Sequence, residues 1–409
     1  MTRTLYDAAV IGAGPAGLTA AVALAASGLK TAIAGPPFNP DPERPDTRTT
    51  ALLRASVQLL RNIGVWDLCE SEAAPLNTIR MIDDTGRLIR APEVAFDATE
   101  IGGIPFGYNI PNTALVAALR ARAEALQNLD MIETAAATQI EANDNTVLVA
   151  LAEGQEISAR LIAGADGRRS LCRETAGLAT KSWTYPQIAM ACNFEHSEPH
   201  NGASNEFHRP SGPFTTVPLP ENASSLVWVE SSEEAERLLA LSDADISTEI
   251  EERSYGCLGR ITAVGPRAAF PLSGMRVHDY SARRIALVGE AAHVIPPIGA
   301  QGLNLGFRDA ASLAEYAQQG QEEDGDPGSN KALKAYDRSR RADVMSRTLA
   351  VDLLNRSLIS GFLPLQLARG VGLHLLANVA PLRRMVMREG IAPRTGLPKL
   401  MQQHAQPLV

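Results

Sequence analysis

The chain has 409 residues, 45% of them apolar and 21% charged, with a formal net charge of −8. That length exceeds one ordinary domain, so a main domain with an inserted or appended second one is expected. The four cysteines, Cys69, Cys172, Cys192 and Cys257, form no CxxC pair and no zinc spacing with histidine. They read as reduced, structural thiols, with no metal site and no nucleic-acid partner expected.

The first predicted element is the strand Asp7-Ala8-Ala9-Val10-Ile11. It runs into the turn Gly12-Ala13-Gly14-Pro15-Ala16-Gly17 and an alanine-rich helix from Thr19 to Ser27, stopped by Gly28. Gly12 permits the tight turn, Gly14 lets a pyrophosphate approach the main chain, and Gly17 brings helix against strand. The next strand, Lys30 to Ala34, should end in a carboxylate that holds an adenosine ribose, yet Gly35 stands there. Asp41, Glu43 or Asp46 from the following Pro-rich loop, or water and backbone, are the alternatives. Residues Arg48 to Trp66 and Asn112 to Leu126 read as helical, and the segment from Met131 alternates like antiparallel strands.

A second strand end follows at Leu161-Ile162-Ala163-Gly164-Ala165-Asp166-Gly167. Ser170 is placed to cap the helix after it. From Trp183 to about Phe270 the texture changes to alternating runs, with a polar helix between Ser231 and Glu252, which suggests a sheet region over the cofactor. Arg284-Ile285-Ala286-Leu287-Val288 then reads as a buried parallel strand with Glu290 at its carboxyl end. Its loop, Gly289 to Asn304, carries Pro296, Pro297, Gly299 and Gly302 and runs into a helix near Leu303. Glycine there lets a flat ring lie against the backbone, and the helix start aims free N–H groups at electron-rich oxygens. A loop at Gln321 to Asn330 leads to C-terminal helices.

These readings divide the chain into 1–180 and 276–330 for the nucleotide domain, 181–275 for the sheet region, and 331–409 for a helical tail. The tail carries 13 Lys+Arg against 4 Asp+Glu, or +9, which leaves −17 for the rest. A basic amphipathic segment can lie on an anionic bilayer or dock on a partner, or it can cap the nucleotide domain. No apolar run approaches the length of a membrane span, and Met1 to Thr4 leave no room for a signal peptide before the first strand. A cytoplasmic protein, soluble or peripheral at the inner face of the membrane, is expected.

The glycine turn, the Asp166-Gly167 segment with Ser170 and Arg173, and the loop from Gly289 with its continuation Gly306 to Ala314 together resemble one family. It is that of the FAD-dependent aromatic hydroxylases of the p-hydroxybenzoate hydroxylase fold. Asp46-Thr47-Arg48 and the tail pattern Asp352 to Arg356, Arg369 to Leu373 and Pro381 to Arg383 look most like the ubiquinone-biosynthesis hydroxylases of the UbiH, UbiF and UbiL type. The resemblance implies an α/β fold: a Rossmann-like FAD-binding domain, an inserted β-sheet substrate domain and a C-terminal helical region. It implies FAD, with NAD(P)H as transient co-substrate and O2. The substrate would be a hydrophobic phenolic or quinone precursor, hydroxylated on its ring through a flavin C4a-hydroperoxide. Other ubiquinone-biosynthesis proteins or a membrane surface would be partners.

Roles follow from the same resemblance. Gly12, Ala13, Gly14, Pro15, Ala16 and Gly17 would hold the pyrophosphate, and Arg48 and Asn112 the ribityl and pyrophosphate portion. Asp166 would sit near the flavin phosphates. Glu290 falls where the family usually has Asp on a ribityl hydroxyl. Main chain of Gly299, Ala300, Gln301, Gly302, Leu303 and Asn304 would cradle the isoalloxazine edge, and the Pro297 carbonyl would face the substrate hydroxyl. Tyr185, His208, Arg209, Trp228, Tyr255 and His278 are pocket candidates in the sheet region, each read first as structural, and His293 is read as fixing the loop by hydrogen bonds. A small soluble aromatic substrate, or a flavin reductase of this fold, is the alternative.

Overall fold

A computed structural model describes residues 4–38, 46–86, 92–297, 299–359, 363–388 and 396–403, with 348–359 and 363–369 described as backbone only. Asp41 and Glu43 lie outside the described residues.

Five strands lie parallel at the centre of the first sheet. In order they are Ile285–Leu287, Glu156–Gly164, Leu5–Ile11, Thr31–Gly35 and Leu129–Glu133. Val147–Leu151 extends this sheet antiparallel to Glu156–Gly164, and Ala137–Ala142 pairs antiparallel with Val147–Leu151 in turn. The predicted alternation after Met131 therefore begins only at Ala137, because Leu129–Glu133 takes a parallel place beside Thr31–Gly35.

Helix Pro15–Ala26 packs between this sheet and helix Gln301–Asp324, and it is buried from Gly17 to Ala25. Its side chains are short because it is covered on all sides; a helix so placed needs no polar face. Gly28, at φ 88°, ends it in the left-handed region expected of a helix stop. The third helix of this layer, Asn112–Glu124, packs beside the first.

Among the described residues the second sheet has nine strands. Thr180–His196 is its longest, pairing with Ala223–Glu230 on one side and Ala268–Val277 on the other. Two strands from outside 181–275, Thr78–Asp83 and Val94–Asp97, complete its far edge through a parallel pairing with Ala203–His208. Two helices, Ser232–Ala240 and Asp243–Arg253, cover one face where a single polar helix was expected. Ser242 caps the second, which breaks the run in two.

Residues Arg48 to Trp66 are not helical throughout. Thr49–Leu53 is a strand in a small three-stranded sheet with Gly107–Pro111 and Ala74–Leu76, and the helix is Arg54–Asn62. The β-branched pair Thr49-Thr50 favours that extended start. Near the other end, helix Gln301–Asp324 continues through the predicted loop start at Gln321 and stops at Gly325.

Candidate functional site

The loop from Gly289 to Ala300 bridges the two large sheets. Ile285–Leu287 belongs to the first, whereas His293–Val294 pairs with Met275 and Arg276 of the second. The three-stranded sheet closes a third side, because the Asn304 side chain binds it directly. Asn304 Oδ1 accepts from Leu53 N at 2.9 Å and Ser56 Oγ at 2.6 Å, and its Nδ2 donates to Ala51 O at 2.8 Å and Ala300 O at 2.5 Å. All four hydrogen-bonding positions of this amide are taken, so it acts as a latch.

The glycine turn sits against the same loop. A Cβ on Gly12 would lie 2.2 Å from Ala165 O and one on Gly17 would lie 1.9 Å from Gly12 O, so both positions exclude a side chain. Gly14, Gly299 and Gly302 differ: nothing stands within 4 Å of a Cβ there. The chain is closed behind the turn and open in front of it, as a cradle for a bulky ligand requires. The helix starts agree. Pro15–Ala26, Asn112–Glu124 and Gln301–Asp324 have no side-chain cap and no acidic residue in the first turn. By contrast, Ser170, Ser231 and Ser242 cap the helices Leu171–Ala176, Ser232–Ala240 and Asp243–Arg253. Uncapped N–H groups with a positive dipole suit phosphate and electron-rich ring oxygens. The last of these helices begins at Gln301, two residues before the expected start, with Ala300 held at φ 54°.

The other singled-out residues gather around this cradle. Asp166 accepts from Ser170 Oγ at 2.5 Å and Cys172 N at 3.0 Å, and Ser170 caps Arg173 N at 2.9 Å as expected. Arg173 ties this segment to the loop, donating to Ala291 O at 2.9 Å and Arg168 O at 2.8 Å. Glu290 is paired with Arg168 at 3.2 Å, both side chains more than half exposed. Arg48 accepts Asn112 N on its carbonyl at 3.0 Å, while its guanidinium is held by Asp46 at 2.7 Å. Asn112 Oδ1 takes Thr50 Oγ1 at 2.5 Å. Pro297 is exposed beside buried Pro296. Burial, then the Asp166 charge, pushes the Cys172 thiol well up, and burial pushes Cys192 up to about 12, so neither is a ready nucleophile.

His293 fixes the loop by hydrogen bonds, as expected, but its partner lies on the far helix. Its Nε2 is 2.7 Å from Asp309 Oδ2, which also accepts Gly289 N at 2.9 Å, while Asp309 Oδ1 accepts Arg340 Nε at 2.7 Å. Arg340 continues to Asp343 at 2.8 Å, which also holds Arg308 at 2.7 Å and Arg347 at 3.0 Å. Burial alone would raise the Asp309 carboxyl, but His293 and Arg340 hold it below the ordinary range. The sequence reading passed over this cluster. Its signal was Arg308-Asp309 set between the apolar runs Leu305-Gly306-Phe307 and Ala310-Ala311, since buried charges demand partners.

The second sheet offers the cradle one face. Side chains alternate along Ala223–Glu230, so Ser225, Val227 and Val229 share a side opposite Leu226, Trp228 and Glu230. Ser225 Oγ accepts from Thr49 Oγ1 at 2.9 Å, and Asn193 Nδ2 donates to Thr47 O at 2.9 Å, which turns their side toward the Arg48 segment. Ala189, Val229 and Leu272 form a buried apolar cluster there, with Tyr185 and Val227 against it. Trp228 instead packs on Phe214 under the covering helices, and Tyr255 lies exposed on Asp84. Arg209 is also committed to Asp84, His208 to Glu206 at 2.8 Å, and His278 is exposed at a strand end. Of the six pocket candidates only Tyr185 joins this apolar cluster.

Three uncapped helix starts and the glycine turn, faced by an apolar sheet, form a site suited to a dinucleotide. Comparison with known proteins agrees. A family model described as FAD binding domain matches residues 5–349, and the chain belongs to that family. It is 35% identical over 390 residues to ubiquinone hydroxylase UbiL of Rhodospirillum rubrum, covering 94% of this chain and 89% of that protein. It is 30% identical over 393 residues to 3-demethoxyubiquinol 3-hydroxylase of Escherichia coli, covering 95% and 99%. Among solved structures, p-nitrophenol 4-monooxygenase of Pseudomonas putida superimposes with a TM-score of 0.76 at 19% identity, over 96% of this chain and all of that one. That likeness supports the fold. The protein is an FAD-dependent monooxygenase.

Proposed function

We propose that this chain hydroxylates the aromatic ring of a polyprenylated phenol or quinone precursor in ubiquinone biosynthesis, using NAD(P)H and O2. The observation that carries the reading is 35% identity across 94% of the chain to a ubiquinone hydroxylase. The apolar face of Ala189, Val227, Val229 and Leu272 supports it, because a prenylated ring needs a greasy wall.

FAD, when bound, supplies the redox chemistry between nicotinamide, oxygen and the ring. The chain's own residues bind and orient. Gly12 to Gly17 would hold the pyrophosphate, with Arg48, kept in place by Asp46, and Asn112 beside it at the helix start. Asp166 shapes the nearby turn, and Glu290, now on Arg168, would reach the ribityl chain. Main chain from Gly299 to Asn304 would frame the ring system, and the Pro297 carbonyl would accept the substrate hydroxyl, polarising it without a side-chain base. The apolar sheet face excludes water from the reacting carbon.

Peripheral membrane contact fits the same substrate. Val371 and Leu375, one turn apart on helix Leu363–Asn378, and Val379 just beyond its end are exposed, as is Met385 beside Arg384 and Arg388. Among the described residues no helix is long and apolar enough to cross a membrane.

The test is turnover by purified protein of a prenylated phenol under labelled O2. Label appearing in the ring at one atom per NAD(P)H oxidised is expected. Label recovered only as peroxide or water, or turnover confined to small water-soluble phenols, would overturn the reading.

A further inference from the structure

Strand Thr31–Gly35 lacks the carboxylate that dinucleotide-binding folds use on the adenosine ribose, about twenty residues beyond the glycine turn. The structure shows why no side chain can stand there. A Cβ on Gly35 would lie 2.6 Å from Ala13 N and 2.7 Å from Ala13 Cβ, so the strand end packs directly on the glycine turn. The ribose hydroxyls still need an acceptor, and a two-oxygen carboxylate suits a neighbouring pair of hydroxyls.

Four described carboxylates merit comparison. Asp46 is engaged by Arg48 through both oxygens. Glu153 is engaged through both oxygens by Thr134 Oγ1 and Ala135 N. Asp130 lies lower on its strand, paired with Tyr6 at 2.8 Å. Glu133 differs. It ends strand Leu129–Glu133 and is the registered neighbour of Gly35 in the parallel sheet. Registered neighbours in parallel strands are about 4.8 Å apart with side chains on the same face, so Glu133 stands one strand over on the face where a Gly35 side chain would point. Its side chain is 62% exposed, and Arg120 holds it through a single contact, Nη2 to Oε1 at 3.3 Å.

We infer that Glu133, on the neighbouring strand, takes the adenosine ribose hydroxyls of FAD, with Arg120 orienting its carboxylate. The acceptor has moved one strand sideways, and the glycine at position 35 lets the turn close against the sheet. This rests on the FAD assignment but on no assumption about the aromatic substrate.

The test titrates flavin-free full-length protein with FAD and with FMN, which lacks adenosine, following flavin fluorescence. Glu133→Gln should weaken FAD about tenfold, or about 1.4 kcal/mol, and leave FMN affinity unchanged. Arg120→Met should weaken FAD in the same selective way but less. With FAD whose adenosine lacks the 2′-hydroxyl, wild type and Glu133→Gln should bind more nearly alike. Unchanged FAD affinity in Glu133→Gln would overturn the proposal, and so would equal weakening of FAD and FMN, which marks a change in the fold. A wild-type protein that binds no FAD would instead refute the cofactor assignment.

Discussion

Asp309→Asn is the most informative single perturbation of the buried cluster behind the cofactor loop. The carboxylate is fully buried and makes three contacts, to Gly289 N, His293 Nε2 and Arg340 Nε. An amide keeps one acceptor oxygen, so it can serve either the His293 and Gly289 side or Arg340, but not both. Breaking a buried ion pair from one side costs about 3–5 kcal/mol. Arg340 retains Asp343 at 2.8 Å, which places the expected loss near the lower end, about 3 kcal/mol. The pH dependence gives a second readout. The folded-state carboxyl is held below its ordinary value, so its stabilisation is complete above about pH 4 and is lost as the pH falls through the folded value. Wild type and Asp309→Asn should therefore differ most in urea denaturation near neutrality, and the gap should shrink below about pH 4. Adding Arg340→Met to Asp309→Asn should cost less than the sum of the single changes, with coupling of about 0.5–3 kcal/mol. A loss under about 1 kcal/mol with an unchanged acid profile would refute this account of the cluster.

Other predictions separate folding from cofactor binding. Gly17→Ala forces a Cβ onto Gly12 O and should abolish soluble protein, whereas Gly14→Ala meets nothing within 4 Å and should fold yet bind FAD poorly, as read from bound-flavin absorbance. Asn304→Ala leaves Leu53 N without its partner and should lower stability by about 1–3 kcal/mol in denaturant titration. Ser170→Ala removes the cap on Arg173 N and should cost about 1 kcal/mol. Glu290→Asp alters an exposed ion pair, so stability should change by less than about 1 kcal/mol, and unchanged FAD affinity would show that the extra methylene is tolerated.

The sequence by itself determined the local pieces of the site. Gly12, Gly17 and Gly28 announce a strand, a tight turn and a helix stop because only glycine meets those backbone or spacing demands. Ser170 was legible as a cap, and Arg284 to Val288 as a buried strand, from patterns spanning a few residues. Gly35 was legible as an absence, although its reason was not. That reason is the approach of Ala13, and the carboxylate beside it, Glu133, lies 98 positions further along the chain.

Tertiary structure alone decided what bridges distant segments. Thr49–Leu53 became a strand because Gly107–Pro111 pairs with it, and Asn304 became a latch because Leu53 and Ser56 stand opposite. Thr78–Asp83 joined the second sheet through Ala203–His208. Asp309 found His293 and Arg340 from separate elements. Periodicity and capping report what a residue asks of its near neighbours. A buried charge or amide reports only that a partner is required, and the partner's identity is fixed when the sheets and helices pack.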